Sequence, residues 1–350
     1  MAKTNPALGI IGGGQLGSLL ASAAKKLNIH TVVLTDDNQA PAKHFCNEII
    51  TADYSDRAKV REFVNKVDVV TFEFENIPVN ILETIAQSKP VFPKPAINKI
   101  VQNRLLEKQF VNSLNIQTTL FEPIKNKLDL SSLKHFSPAI LKTNTLGYDG
   151  KGQYVLNNQK DFDDLNISFD QDYILEKKID LDKEISVIVT RYQDGTIISY
   201  EPIENVHKDQ ILNQSFIPAN ISKNLFEKAQ DQAKIIAEKL DYVGTMCVEY
   251  FIDKKNNLLV NEIAPRVHNS GHLTINAFNI SQFENHVRAV CNLEILPIKK
   301  VKNAMMLNIL GLDIEKYRNK KFSNNEYFFD YLKKEPKEKR KMGHLTTLFN

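Results

Sequence analysis

Apolar positions along this chain follow two periodicities, and the change from one to the other divides it. Short apolar runs at 8–11, 31–35, 48–51 and 68–74 alternate with helical stripes at about 15–27 and 56–65. That order predicts a parallel sheet with ligands at the carboxyl ends of its strands. Beyond the proline-rich KPVFPKPAINKI, which marks an exit near residue 100, the pattern turns to strands at 139–142, 173–179, 185–191, 196–200 and 304–310. A stripe of Leu105, Leu106, Phe110, Val111 and Leu114 predicts one helix, and 223–240 predicts a longer one. The fold class expected is therefore α/β in front and α+β behind.

The stretch MCVEYFIDKKNNLLVNEIAPRVHNSGH, 246–272, organises the second part. Alternating runs at 246–253 and 258–264 flank a polar KKNN connection, the pattern of a hairpin. If Asp253 opposes Leu258, Glu249 faces Glu262, with Cys247, Phe251, Leu258 and Val260 on the same face. Two facing carboxylates, with Cβ atoms roughly 4.5–5.5 Å apart, are destabilising unless a shared proton or a hard cation neutralises them. We expect Mg²⁺, with Mn²⁺ as a substitute, on Glu249 and Glu262. Pro265 ends the second run, and Arg266, His268, Asn269 and His272 then crowd one short loop, groups suited to an oxyanion.

Two glycine strings add phosphate chemistry. Gly12-Gly13-Gly14-Gln15-Leu16-Gly17 follows a strand and opens a helix, with Asp36-Asp37 about 20 residues on, which meets the dinucleotide-binding template. Any phosphate ligand profits equally from a helix N-terminus, so the string alone leaves a nicotinamide-dependent oxidoreductase open. The loop GYDGKGQ, 147–153, follows a strand carrying Lys142 and adds Lys151, a backbone able to close over polyphosphate with a cation beside it.

Composition narrows the classes. At 350 residues, two or three domains are expected, and 42% hydrophobic with 25% charged residues is an ordinary globular balance. A net charge of +3 argues against a nucleic-acid binder. Three scattered cysteines make neither a disulfide framework nor a metal knuckle and suit a reducing cytoplasm. No signal peptide or membrane span of about 18 apolar residues is expected.

The run NEIAPRVHNSGH followed by SQFENHVRAV, with TFEFENIP, GYDGKGQ and KMGH, resembles the 5-(carboxyamino)imidazole ribonucleotide synthases. The resemblance implies an ATP-grasp fold: an N-terminal parallel-sheet (pre-ATP-grasp) domain over 1–100, an ATP-grasp domain over 101–296 and a small C-terminal domain over 297–350. It implies an ATP- and Mg²⁺-dependent ligase that carboxylates aminoimidazole ribonucleotide (AIR) with bicarbonate through carboxyphosphate, as a cytoplasmic homodimer.

By the same resemblance Arg104, Lys142, Gly147, Tyr148, Asp149, Gly150, Lys151, Gly152 and Gln153 bind ATP. Glu176, Lys177, Lys178, Ile179, Glu184, His207, Asn261 and Glu262 complete that set, His207 being read as a loop histidine. Gln15, Leu16, Glu75 and Arg340 bind AIR. Tyr148, Asp149, Arg266, His268 and Lys341 serve the carboxylation, with the KMGH segment read as a loop folding back over the AIR pocket.

Departures from the family pattern are Ser18 and Asn144 in place of arginine, Leu146 in place of glycine, and a C-terminus that stops where relatives continue into a closing helix. A sister ligase acting on glycinamide ribonucleotide or a peptide-like acceptor shares the metal hairpin, and a non-catalytic nucleotide sensor shares the nucleotide loop.

Overall fold

The computed structural model describes residues 5–147 and 152–350. Four parallel strands form the first sheet in the order Glu48–Thr51, Thr31–Thr35, Leu8–Ile11, Val69–Phe72. The strands at 8–11, 31–35 and 69–72 are buried along their whole length, which is why they read as unbroken apolar runs. Helix Gln15–Lys26 packs on this sheet through Leu19, Leu20, Ala21, Ala23 and Ala24. Asp56 caps the next helix, Arg57–Asn65, by accepting from the Ala58 and Lys59 amides.

A second, antiparallel sheet runs Phe121–Ile124, Tyr173–Lys177, Ala139–Thr143, Gln153–Leu156. The largest sheet has nine strands: Leu258–Ala264, Gly244–Asp253 and Leu181–Arg191 at one end, then Ile203–Lys208, Ile211–Ile217, Asn303–Leu310, Lys341–Phe349 and Glu326–Asp330, with Ile197–Ser199 paired to 181–191. Helix Lys223–Lys239 is capped by Ser222 and buries Leu225, Ala229, Ala233, Ile236 and Ala237 in the core that also holds Val187, Val189, Met246 and Val248.

Four expectations change here. KMGH begins strand Lys341–Phe349 rather than forming a loop, because 341–349 pairs on both sides, with 303–310 and with 326–330. His207 lies in strand Ile203–Lys208, at a register shift after Val206, and not in a loop. Helix Arg104–Ser113 buries Val111 but leaves Leu106 exposed, and the charged Glu107 and Lys108 are buried instead, since that side faces a polar cleft. Leu258 and Val260 face away from Glu249 into the core with Tyr250 and Ile252, for a reason that lies in the hairpin itself.

Candidate active site

The turn of hairpin 244–264 begins one residue earlier than the alternation suggests. Ile252, not Asp253, opposes Leu258, and Asp253 instead ties the turn by accepting from the Lys255 and Asn257 amides. That register would offset the two glutamates. Between Val260 and Glu262, however, Asn261 has no partner of its own, so the ladder steps from Tyr250↔Val260 to Glu249↔Glu262. The register set at the turn places Leu259 opposite Phe251 and turns Val260 inward, and the bulge then brings Glu262 opposite Glu249.

Both glutamates line a cleft of about 820 Å³, near the upper end of the range for ligand pockets and so roomy enough for a nucleotide beside a second substrate. Glu249 Oε1 lies 2.8 Å from His268 Nε2. Burial would raise the Glu249 carboxyl, but the His268, His207 and Arg266 charges outweigh it and hold it at about 2. Glu262 Oε2 lies 3.4 Å from Arg104 Nη1, while Arg104 Nη2 donates to the Gly147 carbonyl at 2.8 Å. Hard oxygen donors facing one another, one of them held ionised, are a donor set that fits Mg²⁺.

At one end of the cleft Lys142 Nζ lies 2.9 Å from Glu176 Oε2, and Lys108 Nζ lies 3.5 Å from Glu176 Oε1. Burial acts to raise Glu176, and the two lysines outweigh it, bringing the carboxyl to about 2. Gln153, Lys177, Lys178, Ile179, Glu184 and His207 also line the cleft. The Lys177 ammonium is held by the Phe136 and Ser137 carbonyls, each at 2.8 Å, so its backbone rather than its charge faces a ligand. His207 Nδ1 lies 2.9 Å from Glu184 Oε2; burial lowers the imidazole pKa, but Glu184 more than offsets this and raises it. Asn261, the bulge residue, lines the cleft beside Glu262.

The other end gathers Gln15, Leu16, Glu75, Arg266, His268 and Lys341. Arg266 grips Glu75 through two hydrogen bonds, Nε to Oε2 and Nη2 to Oε1, the second at 3.0 Å. Burial pushes Glu75 up, and the Arg266 guanidinium overrides it, leaving the carboxyl at about 2. His268 Nδ1 lies 2.8 Å from Ser270 Oγ, which sets the ring with Nε2 toward Glu249. Arg340 does not line the cleft, and its Nη1 donates to the Glu335 carbonyl at 3.2 Å. Gly152 also stands off it, with φ 70° and its carbonyl accepting the Thr143 amide at 2.9 Å. Tyr148, Asp149, Gly150 and Lys151 lie outside the described residues.

The first glycine string does something the template does not foresee. The Gly14 and Gly17 amides donate to Oε1 and Oε2 of Glu73, each at 2.5 Å, so an internal carboxylate fills the place a pyrophosphate would take. A Cβ at Gly14 would lie 2.6 Å from Glu73 Oε1, and Gly12, with φ 98°, would bring one to 2.4 Å from Glu73 Cγ. The glycines therefore make room for a side chain of the same molecule, and the nicotinamide reading falls.

Three family models match in succession: the Ribonucleotide synthetase preATP-grasp domain over 6–102, the ATP-grasp domain over 109–283 and the Phosphoribosylaminoimidazole carboxylase C-terminal domain over 304–350. The N5-carboxyaminoimidazole ribonucleotide synthase of Brucella melitensis biotype 1 is 39% identical, covering 99% of this chain and 97% of its own. That of Staphylococcus aureus (strain COL) is 37% identical, covering 99% and 94%. The chain belongs to the N5-carboxyaminoimidazole ribonucleotide synthases.

Solved members of this synthase family superpose closely. The crystal structure of an ADP complex has a TM-score of 0.94 at 37% identity, covering 99% of this chain and 93% of that one. The Aspergillus clavatus synthase in complex with ADP and 5-aminoimidazole ribonucleotide has a TM-score of 0.90 at 30% identity, covering 99% and 94%. This synthase is thus an ATP-dependent ligase with the ATP-grasp fold, and it carboxylates AIR in purine biosynthesis. Membership removes the sister-ligase and sensor readings.

Sequence reasoning missed Glu107 of the cleft and two lysines, Lys108 and Lys333, that bond to residues lining it. Glu107 lines the cleft and accepts the Ile263 amide at 2.6 Å; burial first, then the Glu262 charge, raises its carboxyl. Lys108 donates to Thr119 Oγ1 at 3.1 Å beside Glu176. Lys333 donates to Gln15 Oε1 at 3.0 Å and to the Lys341 carbonyl at 2.6 Å, tying the C-terminal segment to the glycine string. The signal for Glu107 and Lys108 was two charges on the inward side of an otherwise apolar stripe.

The departures from the family pattern also have local accounts. Ser18 Oγ donates to the Gly14 carbonyl at 2.7 Å, and Asn144 Oδ1 accepts the Leu105 amide at 2.9 Å. Leu146 takes φ 62°, a left-handed conformation that glycine adopts without strain.

Proposed function

We propose that the cleft runs the carboxylation in two steps, with Glu249 and Glu262 at their junction. ATP binds at the end formed by Arg104, Lys142, Gly147, Gln153, Glu176–Ile179, Glu184, His207, Asn261 and Glu262, with Gly150 and Lys151 of the glycine loop serving its phosphates and Gly152 letting the chain turn back into the next strand. A bicarbonate oxygen attacks the γ-phosphorus and ADP leaves, giving carboxyphosphate. The AIR amine then attacks the carboxyl carbon and phosphate departs, carrying the amine proton. Mg²⁺, or Mn²⁺ in its place, held by Glu249 and Glu262, supplies positive charge to the ATP phosphates.

The remaining work belongs to side chains. Lys142, Lys151 and Arg266 neutralise developing charge, and His268 holds the carboxylate end of the intermediate. Gln15, Leu16 and Glu75 position AIR, with Lys341 beside it, while Arg340, which stands off the cleft, would reach AIR only by leaving the Glu335 carbonyl. Tyr148 and Asp149 close over the intermediate, keep water from it and orient the amine. The observation that supports this reading best is the directly opposed Glu249–Glu262 pair lining one cleft between a lysine-rich end and the Arg266–His268 end. We carry with it a cytoplasmic homodimer organised as 1–100, 101–296 and 297–350, to be checked by sedimentation and fractionation.

The test is ADP release with ATP, Mg²⁺ and bicarbonate, with and without AIR. Strong stimulation by AIR and none by glycinamide ribonucleotide is expected. Equal stimulation by the two, or none by either, would overturn the assignment of the acceptor end.

A further inference from the structure

We propose that Cys247, Glu249 and His268 form a transition-metal site for Zn²⁺ that switches the ligase off when filled. One ligand atom from each residue lies within 4.8 Å of the other two. Cys247 and Glu249 are two apart in strand Gly244–Asp253 and so project from one face. His268 reaches them from the loop after the partner strand, its Nδ1 engaged by Ser270 and its Nε2 2.8 Å from Glu249 Oε1.

The donor set selects the ion. Thiolate and imidazole favour Zn²⁺, whereas Mg²⁺ takes hard oxygens, so this trio and the Glu249–Glu262 pair suit different metals while sharing Glu249. Bond lengths of about 2.0–2.3 Å to zinc place ligand atoms roughly 3.5 Å apart in a tetrahedral site. The present spread closes by rotation of Glu249 and His268, whose side chains remain 15% and 13% exposed on the cleft. Cys247 is fully buried, which leaves its sulfur facing Ser186, Ser270 and Glu249. An ion takes the proton's place on that sulfur. The fourth position opens on the cleft.

Charges around the trio decide how tightly it holds. Arg266 opposes a cation but is itself paired by Glu75, and His207 is paired by Glu184. Inhibition rests on the roles given to Glu249 and His268 under Proposed function, because zinc withdraws both; binding does not depend on that reading.

The experiment titrates the intact chain with Zn²⁺ and Co²⁺ without nucleotide, by equilibrium dialysis and absorption. One ion per chain is expected, with a thiolate-to-cobalt charge-transfer band. Cys247→Ala should weaken zinc binding by about 100-fold or more, abolish the band, and keep magnesium-dependent ADP release within about twofold. Cys247→Ser serves if the alanine variant misfolds. Zinc should inhibit wild type in the presence of excess Mg²⁺ and spare the variant. Equal zinc affinity in wild type and variant, no bound zinc, or cobalt without the thiolate band would overturn the site. Binding with the band but without inhibition would overturn the switch, whereas failure of the functional reading shows separately as absent AIR stimulation.

Discussion

Glu249 faces Glu262 because one residue, Asn261, is left over between Val260 and Glu262. Without that bulge the ladder set at the Ile252↔Leu258 end would put Asn261 opposite Glu249 and send Glu262 to the other face. Deleting Asn261 should therefore leave Glu262 directly after Val260 and still opposite Glu249, so the carboxylate pair and the core residues Tyr250, Ile252, Leu258 and Val260 keep their places and ADP release falls no further than in Asn261→Ala. The check pairs activity with circular dichroism for both variants, and loss of activity in the deletion alone, with the fold intact, would show that the pairing of the two glutamates is not what the site requires.

Glu262→Gln keeps the volume and removes one anionic oxygen. Under the proposed role it should lower magnesium-dependent turnover about 100-fold, equivalent to about 2.7 kcal/mol of transition-state stabilisation, with the fold intact. Turnover within a few-fold of wild type, over a range of Mg²⁺ concentrations, would sink the metal assignment.

Glu73 joins two amides of the glycine string. Glu73→Ala should destabilise the protein by about 2–4 kcal/mol, because two amides lose a short charge-assisted bond at a buried site. A denaturation midpoint unchanged from wild type would contradict this. Gly14→Ala should act in the same direction, its Cβ meeting the same carboxylate.

Acid should weaken the fold through Glu176. Burial opposes its ionisation and the Lys142 and Lys108 charges override it, so the folded carboxyl titrates at about 2 against an ordinary 4.5. A depressed folded pKa contributes stability that is fully present above about 4.5 and is lost as pH falls through about 2. Glu75 and Glu249, also near 2, act in the same window. Glu176→Gln should flatten part of that slope and cost about 3–5 kcal/mol at neutral pH, because it leaves two buried lysines without their carboxylate. Urea unfolding between pH 2 and 7 measures both effects.

Removing 340–350 cannot test the acceptor end, because 341–349 is a strand paired on both sides. Lys341→Met is the cleaner change. It should raise the AIR requirement about tenfold or more while leaving ATP affinity within about twofold. Asp149→Asn should keep ATP binding and lose stimulation by AIR. Equal effects of either substitution on both substrates would count against a division of the cleft into two ends.

Much of this protein was legible from local pattern. The four parallel strands follow from short apolar runs, and the long helix and the 244–264 hairpin from period-3.6 and period-two apolar spacing, since a helix or a one-sided strand must bury one stripe or face. The strings around 147–153 and 261–272 carried the family, because the chemistry demands particular groups at short separations. What escaped depends on partners distant in sequence.

That Glu73 fills the glycine string, 56 residues from Gly17, and that Glu75 is gripped by Arg266, 191 residues away, leaves no local trace. The right pairing of Glu249 with Glu262 came from a turn placed one residue late, and the Asn261 bulge cancelled that error. Burial of Glu107 and Lys108 likewise needed the cleft to exist. Alternation tells which residues turn inward from a strand or helix, but only the packed fold decides whether the inside they reach is a hydrocarbon core or a polar site.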